Sequence, residues 1–369
     1  MRSKLTEHKE FYLLINSLRL GGAEKNCVNL ANAFVEKGIK VTLVVLELRD
    51  AVLKDKLSPE VNLVSLETAH ARESIFKLRK LILENNIKQF LVFTFQLAVV
   101  LVLIRKIWKA EFTIVARSIN SLTEKYKHEK SLWHKWISQL MVKRWFFEVD
   151  HIIAQSTGMK KELLVLMGKK QTPVTVIFNF LEVGPEKILI DQKSDREERK
   201  LLFVGKLKPQ KNLFFLIDAF ALALEKKQGM TLKIVGDGEL KAELQDYIKS
   251  KGLQHSIILS GKSENVSEYY LEANLLVLTS HYEGFPNVLV EAHSFGIPVV
   301  SMDCPSGPSD IVIQNENGLL VKDKNPKIFG EAIIQALELG WEKEKIKASV
   351  DRFSKQKAVE EYLEVMSKY

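Results

Sequence analysis

Cysteine is scarce in this chain of 369 residues, which contains only Cys27 and Cys304. The two lie far apart in the sequence, so they show neither the spacing of a metal site nor a disulfide framework. The N-terminal residues MRSKLTEHKE are polar and lack the apolar stretch of a signal peptide. These features predict a protein of the reducing cytoplasm.

Long apolar runs are lacking as well. The most apolar run, FLVFTFQLAVVLVLI at residues 90–104, is 15 residues long, whereas a helix that spans a membrane needs about 20 residues. We interpret this run as a buried strand followed by a buried helix.

Two functional signatures are also missing. The sequence has no Asp-x-Asp motif in a plausible loop and no His/Cys cluster, so no metal cofactor is expected. No Gly-x-Gly-x-x-Gly pattern follows the first predicted strand, which argues against a Rossmann dehydrogenase.

Excess positive charge is confined to one half of the chain. Residues 1–180 hold 29 Lys and Arg against 17 Asp and Glu, although the whole chain has a net charge of only +8. The remaining residues are therefore slightly acidic. This asymmetry predicts an anionic partner for the N-terminal half, either nucleic acid or a membrane surface.

Short apolar runs alternate with amphipathic helical patterns along the chain. FYLLINSL (residues 11–18) and KVTLVVLEL (residues 40–48) predict strands, and the helical pattern between them ends at Gly38. A polar stretch at residues 182–200 predicts a linker, after which the same alternation starts again. The predicted fold class is α/β, with two Rossmann-like, doubly wound domains facing across a cleft.

Three loops at predicted strand ends carry glycine or lysine. Gly21-Gly22 could admit an anion at a helix N-terminus or simply form a tight turn. VGKLKPQKN (residues 204–212) has three lysines that suit a diphosphate, although a solvated basic loop is the alternative. Gly236 and Gly238 in VGDGE are typical of a structural α/β loop.

The stretch EGFPNVLVE predicts a helix with Pro286 as its first residue, so that Glu283 lies before the helix and Glu291 lies inside it. Backbone N–H groups at the start of that helix could hold an anion. Each carboxylate could accept hydrogen bonds from hydroxyl groups on either side of a diphosphate. A structural carboxylate with a solvent-facing one, and an acid/base pair, remain alternatives.

These motifs together resemble family 4 of the retaining glycosyltransferases, which have the GT-B fold. The resemblance extends almost from end to end and rests on SLRLGGAEKNCVNLANAF, FVGKLKPQKN, IVGDGEL, TSHYEGFPNVLVEAHSFGIPVV and DCPSGPSDIV. It implies an acceptor-binding domain at residues 1–182, onto which a C-terminal helix at residues 355–369 crosses back. Residues 183–354 would form the nucleotide-sugar-binding domain.

The resemblance implies roles for individual residues. Glu291 would hold the ribose hydroxyls, Glu283 would contact the donor sugar, and Lys211 resembles the family's diphosphate lysine. Lys206 stands where many members have arginine, so it keeps the charge but lacks the bidentate fork. The other donor-binding residues implied are Gly22, Gly205, Gly236, Val266, Gly284, Phe285, Pro286, Asn287 and Val288. Of these, Val266 belongs to the stretch at residues 264–266, whose backbone would line the base.

One position departs from the family pattern. Many members have a histidine after the fourth strand, but this chain has VFTFQLAVV there, with Thr94 and Gln96. Arg117 in VARSIN resembles an arginine of a subset of the family. We therefore expect Arg117 to contact substrate or phosphate and include it among the catalytic residues with Glu283, Lys211 and Lys206. His128, His134 and His293 are interpreted as ordinary surface or helix residues.

Residues 105–145 combine ten Lys and Arg with four of the five tryptophans. SLWHKWISQLMVKRWFF predicts a helix whose basic and aromatic residues suit an anionic membrane surface. The membrane-contacting candidates are Trp133, Lys135, Trp136, Lys143 and Arg144. A core helix with a basic outer face is the alternative, and no nucleic-acid motif supports a nucleic-acid partner.

The resulting expectation is a metal-independent, retaining glycosyltransferase, peripheral on the inner face of the cytoplasmic membrane. It would move a hexose or N-acetylhexosamine from a UDP-sugar to a lipid-linked, polyprenyl-diphosphate saccharide. GGAE with CPSGPSD favours an N-acetylhexosamine or galactose-type donor. The alternatives are a soluble acceptor, a GDP- or ADP-sugar donor, and a non-enzymatic nucleotide-binding module.

Overall fold

A computed structural model of the protein describes residues 10–118, 123, 139–181, 199–263 and 265–369. The chain divides into two compact units. Unit 1 comprises Met1–Glu182 and Lys355–Tyr369, and unit 2 comprises Val183–Ser354.

Unit 1 contains a parallel sheet. Its described strands are β1 (Glu10–Ile15), β2 (Lys40–Val45), β3 (Asn62–Ser65), β4 (Gln89–Val92), β5 (Thr113–Arg117), β6 (His151–Ala154) and β7 (Val174–Val176). They pair in the order β3-β2-β1-β4-β5-β6-β7, with Leu13 opposite Leu43 on one side and Leu91 on the other. The strand order reverses between β1 and β4, so the topological switch point of this sheet lies there.

The helices of unit 1 follow its strands. They are α1 (Gly22–Glu36), α2 (Ile75–Glu84), α3 (Phe95–Trp108) and α4 (Thr157–Met167). Short 3₁₀ turns occur at Lys54–Lys56, Ala71–Ser74 and Phe146–Glu148. The apolar run at residues 90–104 divides between β4 and α3, as predicted. Gly38 adopts φ +76° just after α1, which confirms it as the stop signal.

The sheet of unit 1 is buried on both faces, because side chains alternate along each strand. In β1, Leu13 and Ile15 pack on the side of α1, whereas Tyr12 and Leu14 pack on the side of α3. This double burial explains why β1 reads as an unbroken apolar run. None of the helices in the described part of the chain is long and apolar enough to cross a membrane.

Unit 2 has its own parallel sheet. The described strands are β8 (Arg199–Val204), β9 (Met230–Val235), β10 (Ile257–Gly261), β11 (Leu275–Leu278), β12 (Val299–Met302) and β13 (Gly318–Val321). Their order is β10-β9-β8-β11-β12-β13. β8 and β11 are neighbours although two strands separate them in the chain, so the topological switch point lies between them.

The helices of unit 2 complete the alternation. They are α5 (Leu213–Lys226), α6 (Lys241–Ser250), α7 (Ser267–Glu272), α8 (Asn287–Ser294), α9 (Pro308–Ile311), α10 (Pro326–Glu338) and α11 (Lys343–Ala348). Two 3₁₀ turns lie at Pro209–Lys211 and Asp351–Phe353. α8 begins one residue later than predicted, because Pro286 is its N-cap residue and not its first helical residue.

The last helix, α12 (Lys355–Ser367), belongs to unit 1. Its Tyr362 is buried and its ring lies edge-on to Phe34 of α1, with centroids 6.3 Å apart. Gln89 donates a hydrogen bond from Nε2 to the Met366 carbonyl oxygen at 3.0 Å. These contacts fix α12 against α1 and the start of β4.

Candidate functional site

The carboxyl ends of β8 and β11 carry the loops that hold most of the predicted site residues. Residues 205–211 follow β8 and residues 279–286 follow β11. Because the two strands are neighbours in a parallel sheet, both loops leave the same edge side by side. Ligands of doubly wound sheets bind at such switch points.

The two loops are joined by hydrogen bonds. The Thr279 hydroxyl donates to the Lys211 carbonyl oxygen at 3.0 Å. Gln210 donates from Nε2 to the Tyr282 carbonyl oxygen at 2.6 Å, and the His281 N–H donates to the Gln210 carbonyl oxygen at 2.9 Å. Backbone and side-chain bonds therefore fix the two loops relative to each other.

Lys211 and Glu283 meet across this junction. Lys211 Nζ lies 2.6 Å from Glu283 Oε1, and Glu283 is a buried residue with 7% of its surface exposed. The predicted diphosphate lysine and the predicted sugar-binding carboxylate thus form one buried ion pair. The pair precedes the N-terminus of α8, so charges of both signs lie at this edge of the sheet.

Two further lysines extend the positive charge. Lys206 is exposed, whereas Lys208 is half-buried. Burial, and then the neighbouring Lys211 charge, lowers the pKa of Lys208 below its usual value. Lys208 and Lys211 repel each other because both are positively charged. A bound anion would offset this repulsion, so the pair favours the binding of an anion.

The start of α8 is packed against a third loop. The Glu283 N–H donates to the Pro305 carbonyl oxygen at 3.3 Å. Gly307 has φ +96°, and a Cβ there would lie 2.6 Å from Pro286 Cδ and 3.0 Å from the Gly284 carbonyl oxygen. The chain after β12 therefore fixes the predicted anion-binding turn. Phe285 is buried against Phe353, with ring centroids 5.3 Å apart.

The N-terminus of α8 forms part of the predicted anion-binding turn. The first four N–H groups of an α-helix have no partner within the helix itself, and its dipole favours negative charge. Asn287 and Val288 are the first two residues of α8. Their contact with a diphosphate or sugar stays a prediction.

Glycines allow the loops after β8 and β9 to touch. A Cβ on Gly236, which has φ +148°, would lie 1.8 Å from the Gly205 carbonyl oxygen. A Cβ on Gly238 would lie 2.3 Å from the Leu207 carbonyl oxygen. Both glycines are thus explained by close backbone packing, as the structural interpretation of this motif expects. Contact of Gly205 or Gly236 with a nucleotide stays a prediction.

Glu291 is held by a residue that the sequence did not single out. The Tyr270 hydroxyl donates to Glu291 Oε2 at 2.8 Å. Tyr270 belongs to α7, whose N-cap residue is Val266, the predicted contact of the base. Glu291 is half-buried. Tyr270 reads as an ordinary apolar position of SEYYLEAN, so no sequence signal pointed to it.

His293 lies in the same helix as Glu291 and is fully buried. Nε2 donates to the Asn317 carbonyl oxygen at 3.0 Å, and burial lowers the pKa of His293 to about 3. The sequence predicts that His293 is an ordinary surface or helix residue. The structure shows a buried helix residue and not a surface residue.

In unit 1, Gly22 opens α1 and has free space around it, since a Cβ there would meet nothing within 4 Å. Gly21, the N-cap, has an extended backbone with φ −160°. The space is compatible with a ligand at the start of α1. Contact of Gly22 with a diphosphate stays a prediction.

Arg117 lies in the interior of unit 1, with only 2% of its surface exposed. Nε donates to the Tyr362 hydroxyl at 2.7 Å, and Nη2 donates to Asn179 Oδ1. Nη1 has no hydrogen-bond partner in the described part of the chain, and the guanidinium carbon lies 5.4 Å from the centre of the Phe93 ring. Arg117 therefore links β5 to α12, and its expected contact with substrate stays a prediction.

The predicted membrane-contacting segment is only partly described. Trp133, Lys135 and Trp136 lie outside the described residues, as do His128 and His134, whereas residues 139–144 are helical. Arg144 pairs with Glu148 at 2.9 Å. Lys106 and Lys170 approach the same carboxylate, so this surface keeps an excess of positive charge. Lys143 is exposed.

No group of three or more His, Cys, Asp or Glu side chains that could hold a metal ion occurs among the residues that the structure describes. The metal independence of the protein stays a prediction.

Comparison with known proteins identifies this architecture. A model of the glycosyl transferases group 1 matches residues 186–348, and a model of Glycosyltransferase Family 4 matches residues 20–184. The fold is similar to that of HepE of Anabaena in complex with UDP-glucose, with a TM-score of 0.78 and 18% identity over 98% of this chain and 100% of that chain. Two Rossmann-like parallel sheets of this kind define the GT-B fold.

Two sequence relatives agree with this result. The amylovoran biosynthesis glycosyltransferase AmsD of Erwinia amylovora is 37% identical over 142 residues, which cover 38% of this chain and 39% of that relative. The GalNAc-α-(1→4)-GalNAc-α-(1→3)-diNAcBac-PP-undecaprenol α-1,4-N-acetyl-D-galactosaminyltransferase of Campylobacter jejuni is 28% identical over 319 residues, 84% of this chain and 83% of that relative. The match to AmsD thus spans well under two thirds of its length.

The chain belongs to the family 4 glycosyltransferases. The family and the fold class that the sequence motifs indicated are confirmed.

Proposed function

We propose that this protein is a retaining, metal-independent glycosyltransferase of polysaccharide or glycan biosynthesis. It moves a hexose or N-acetylhexosamine from a UDP-sugar to a lipid-linked, polyprenyl-diphosphate saccharide. The observation that carries the proposal is the buried Lys211–Glu283 pair at the switch point of unit 2, beside the N-terminus of α8. UDP-glucose in HepE and the undecaprenol-linked substrate in the name of the Campylobacter relative support the donor and the acceptor.

The charges of the site suit departure of a nucleoside diphosphate. Lys211, with Lys206 and Lys208 in the same loop, supplies positive charge, and the α8 N-terminus supplies N–H donors. Such fixed groups stabilise the negative charge that develops on the leaving UDP. Glu283 binds hydroxyl groups of the donor sugar, and Glu291 binds those of the ribose.

Transfer with retention follows from attack on the face that the diphosphate leaves. The bond between the anomeric carbon and the phosphate oxygen breaks, and UDP carries away the electron pair. The acceptor hydroxyl oxygen bonds to the anomeric carbon on that same face, and its proton passes to the departing phosphate. The protein then needs no nucleophile of its own, and its work is orientation and charge stabilisation.

Calorimetric titration with UDP, GDP and ADP tests the donor site. We expect tight binding of UDP alone, and loss of most of that affinity in Glu291→Ala. Glu338→Ala, an exposed residue of α10 that pairs with Lys227, is the matched control and should bind like wild type. Binding of GDP or ADP instead would change the donor. If no nucleotide binds, the result contradicts both the proposed transferase activity and the alternative of a nucleotide-binding module.

Transfer assays with a UDP-sugar panel test the activity itself. Product formation should persist in EDTA, and the anomeric configuration of the product should match that of the donor. An inverted product, or activity that requires added Mg²⁺ or Mn²⁺, would contradict the proposed mechanism.

We also propose that the basic surface of unit 1 holds the protein on the inner face of the cytoplasmic membrane. Lys106, Arg144 and Lys170 surround the single carboxylate of Glu148, which leaves this surface cationic. Lys135, Lys143 and Arg144 changed together to Glu should abolish sedimentation with vesicles that contain anionic lipid. Unchanged sedimentation would favour the core-helix alternative.

A further inference from the structure

Tyr270 and Glu291 form a fixed pair within unit 2. The Tyr270 hydroxyl lies 2.8 Å from Glu291 Oε2. The Tyr270 ring is stacked on Phe295 with centroids 5.1 Å apart and an interplanar angle of 27°. Only 2% of Tyr270 is exposed, so the hydroxyl cannot move to another partner without disturbing the core.

The direction of this hydrogen bond is determined. Burial, and then the Glu291 charge, raises the pKa of Tyr270 well above its usual value. The phenol therefore stays protonated at neutral pH and donates, while the carboxylate accepts. A hydrogen bond to a charged group is worth more than one between neutral groups, and it restricts the rotamers of a flexible glutamate.

The same helix connects two parts of the predicted nucleotide site. Val266 is the N-cap residue of α7, and the Tyr270 N–H donates to the Val266 carbonyl oxygen at 3.3 Å. Tyr270 thus lies one helical turn beyond the predicted base contact. One short helix therefore carries that contact and also orients the carboxylate predicted to bind the ribose.

We propose that Tyr270 is a positioning residue that fixes Glu291 for recognition of the ribose 2′- and 3′-hydroxyl groups, and thereby makes the site select ribonucleotides over 2′-deoxyribonucleotides. The inference rests on the proposed donor site. A site arranged to accept a hydrogen bond from a ligand hydroxyl group discriminates strongly against an analogue that lacks this group, because the acceptor is then left without its donor. A carboxylate that can rotate freely adapts to the analogue and discriminates less.

Titration of UDP and 2′-deoxy-UDP into wild type and Tyr270→Phe tests this inference. Phenylalanine keeps the ring stacked on Phe295 and removes only the hydroxyl. We expect wild type to bind UDP about tenfold or more tightly than 2′-deoxy-UDP. In Tyr270→Phe, the affinity for UDP should fall about tenfold, while that for 2′-deoxy-UDP changes little, so the ratio approaches one.

The neighbouring tyrosine provides a matched control. Tyr269 is on the same helix, but its ring lies beside Lys233 Nζ, 5.3 Å from the ring centre. Tyr269→Phe removes the same group and should keep the wild-type ratio. In a Glu291→Ala background, Tyr270→Phe should have no further effect on the ratio, because the residue through which it acts is gone.

The outcomes separate this inference from the proposed function. A wild-type ratio in Tyr270→Phe, or an equal loss of affinity for both nucleotides, would show a merely structural role and overturn the inference alone. Failure of wild type to bind UDP would overturn the proposed donor site and the inference with it.

Discussion

Lys211 and Glu283 neutralise each other across the junction of the β8 and β11 loops, with Nζ 2.6 Å from Oε1. Their side chains are only 13% and 9% exposed. A buried charge that loses its partner is strongly unfavourable, because neither water nor another group replaces the lost interaction. The two residues that the proposed function assigns to phosphate and sugar are therefore also mutually dependent for stability.

Removing only one member of this pair should destabilise unit 2. We expect Lys211→Met to lower the free energy of unfolding by about 3–5 kcal/mol, because Glu283 is left buried without its partner. Lys211→Met combined with Glu283→Gln should recover part of that loss, since no uncompensated charge remains. Urea denaturation followed by circular dichroism measures Lys211→Met, Glu283→Gln and the double variant, which complete a double-mutant cycle with wild type.

An exposed ion pair gives the comparison for this double-mutant cycle. Lys226 pairs with Glu331 at 2.7 Å, with side chains about half exposed. Lys226→Met should leave the unfolding transition unchanged. A Lys211→Met variant as stable as wild type would contradict this prediction, because it would show that Lys211 does not stabilise the buried Glu283 charge.

Much of this site could be predicted because it follows the strand order. The residues 279–286 loop and the residues 205–211 loop each follow an apolar run, and parallel pairing then places both at one sheet edge. Local pattern also located Gly38 and the division of residues 90–104 between β4 and α3.

Other features depend on contacts that local pattern does not reveal. Tyr270 meets Glu291 across 21 positions, and in the sequence its aromatic ring resembles any core residue. Arg117 ends a strand, and its partners Asn179 and Tyr362 come from distant parts of the chain. Such contacts arise from tertiary packing, so the local sequence pattern does not predict them.

Gly236 should tolerate no side chain. A Cβ there would lie 1.8 Å from the Gly205 carbonyl oxygen, and its φ of +148° is unfavourable for other residues. We expect Gly236→Ala to lower the free energy of unfolding by about 3 kcal/mol or more, because backbone must move to relieve the overlap. Thermal unfolding of the purified variant measures the effect.

Gly252 separates the conformational contribution from the steric one. It has φ +70°, and a Cβ there meets nothing within 4 Å. Gly252→Ala should therefore lower the free energy of unfolding by only about 1–2 kcal/mol. Equal losses in the two variants would mean that the contact of Gly236 with Gly205 does not limit side-chain size.

His293 should make the protein sensitive to acid. Burial lowers its pKa to about 3, whereas an unfolded chain has a histidine pKa of about 6.5. The folded state then binds fewer protons than the unfolded state between these two values. The stability of the folded state that depends on neutral His293 is fully present above pH 6.5. It is lost progressively as the pH falls from 6.5 towards 3. At pH 5 this one residue should reduce the free energy of unfolding by about 2 kcal/mol relative to pH 7.

Thermal unfolding at pH 7 and pH 5 measures this effect. His293→Gln keeps an amide that can donate to the Asn317 carbonyl oxygen but cannot be protonated, so its melting temperature should fall less between the two pH values than that of wild type. Burial is the main cause that lowers the pKa of His151 in unit 1 to about 4. His151 should therefore still contribute to the fall in melting temperature of this variant. His255→Gln, at an exposed position, should behave like wild type. If His293→Gln shows the full wild-type decrease, the acid sensitivity of unit 2 arises from groups other than His293.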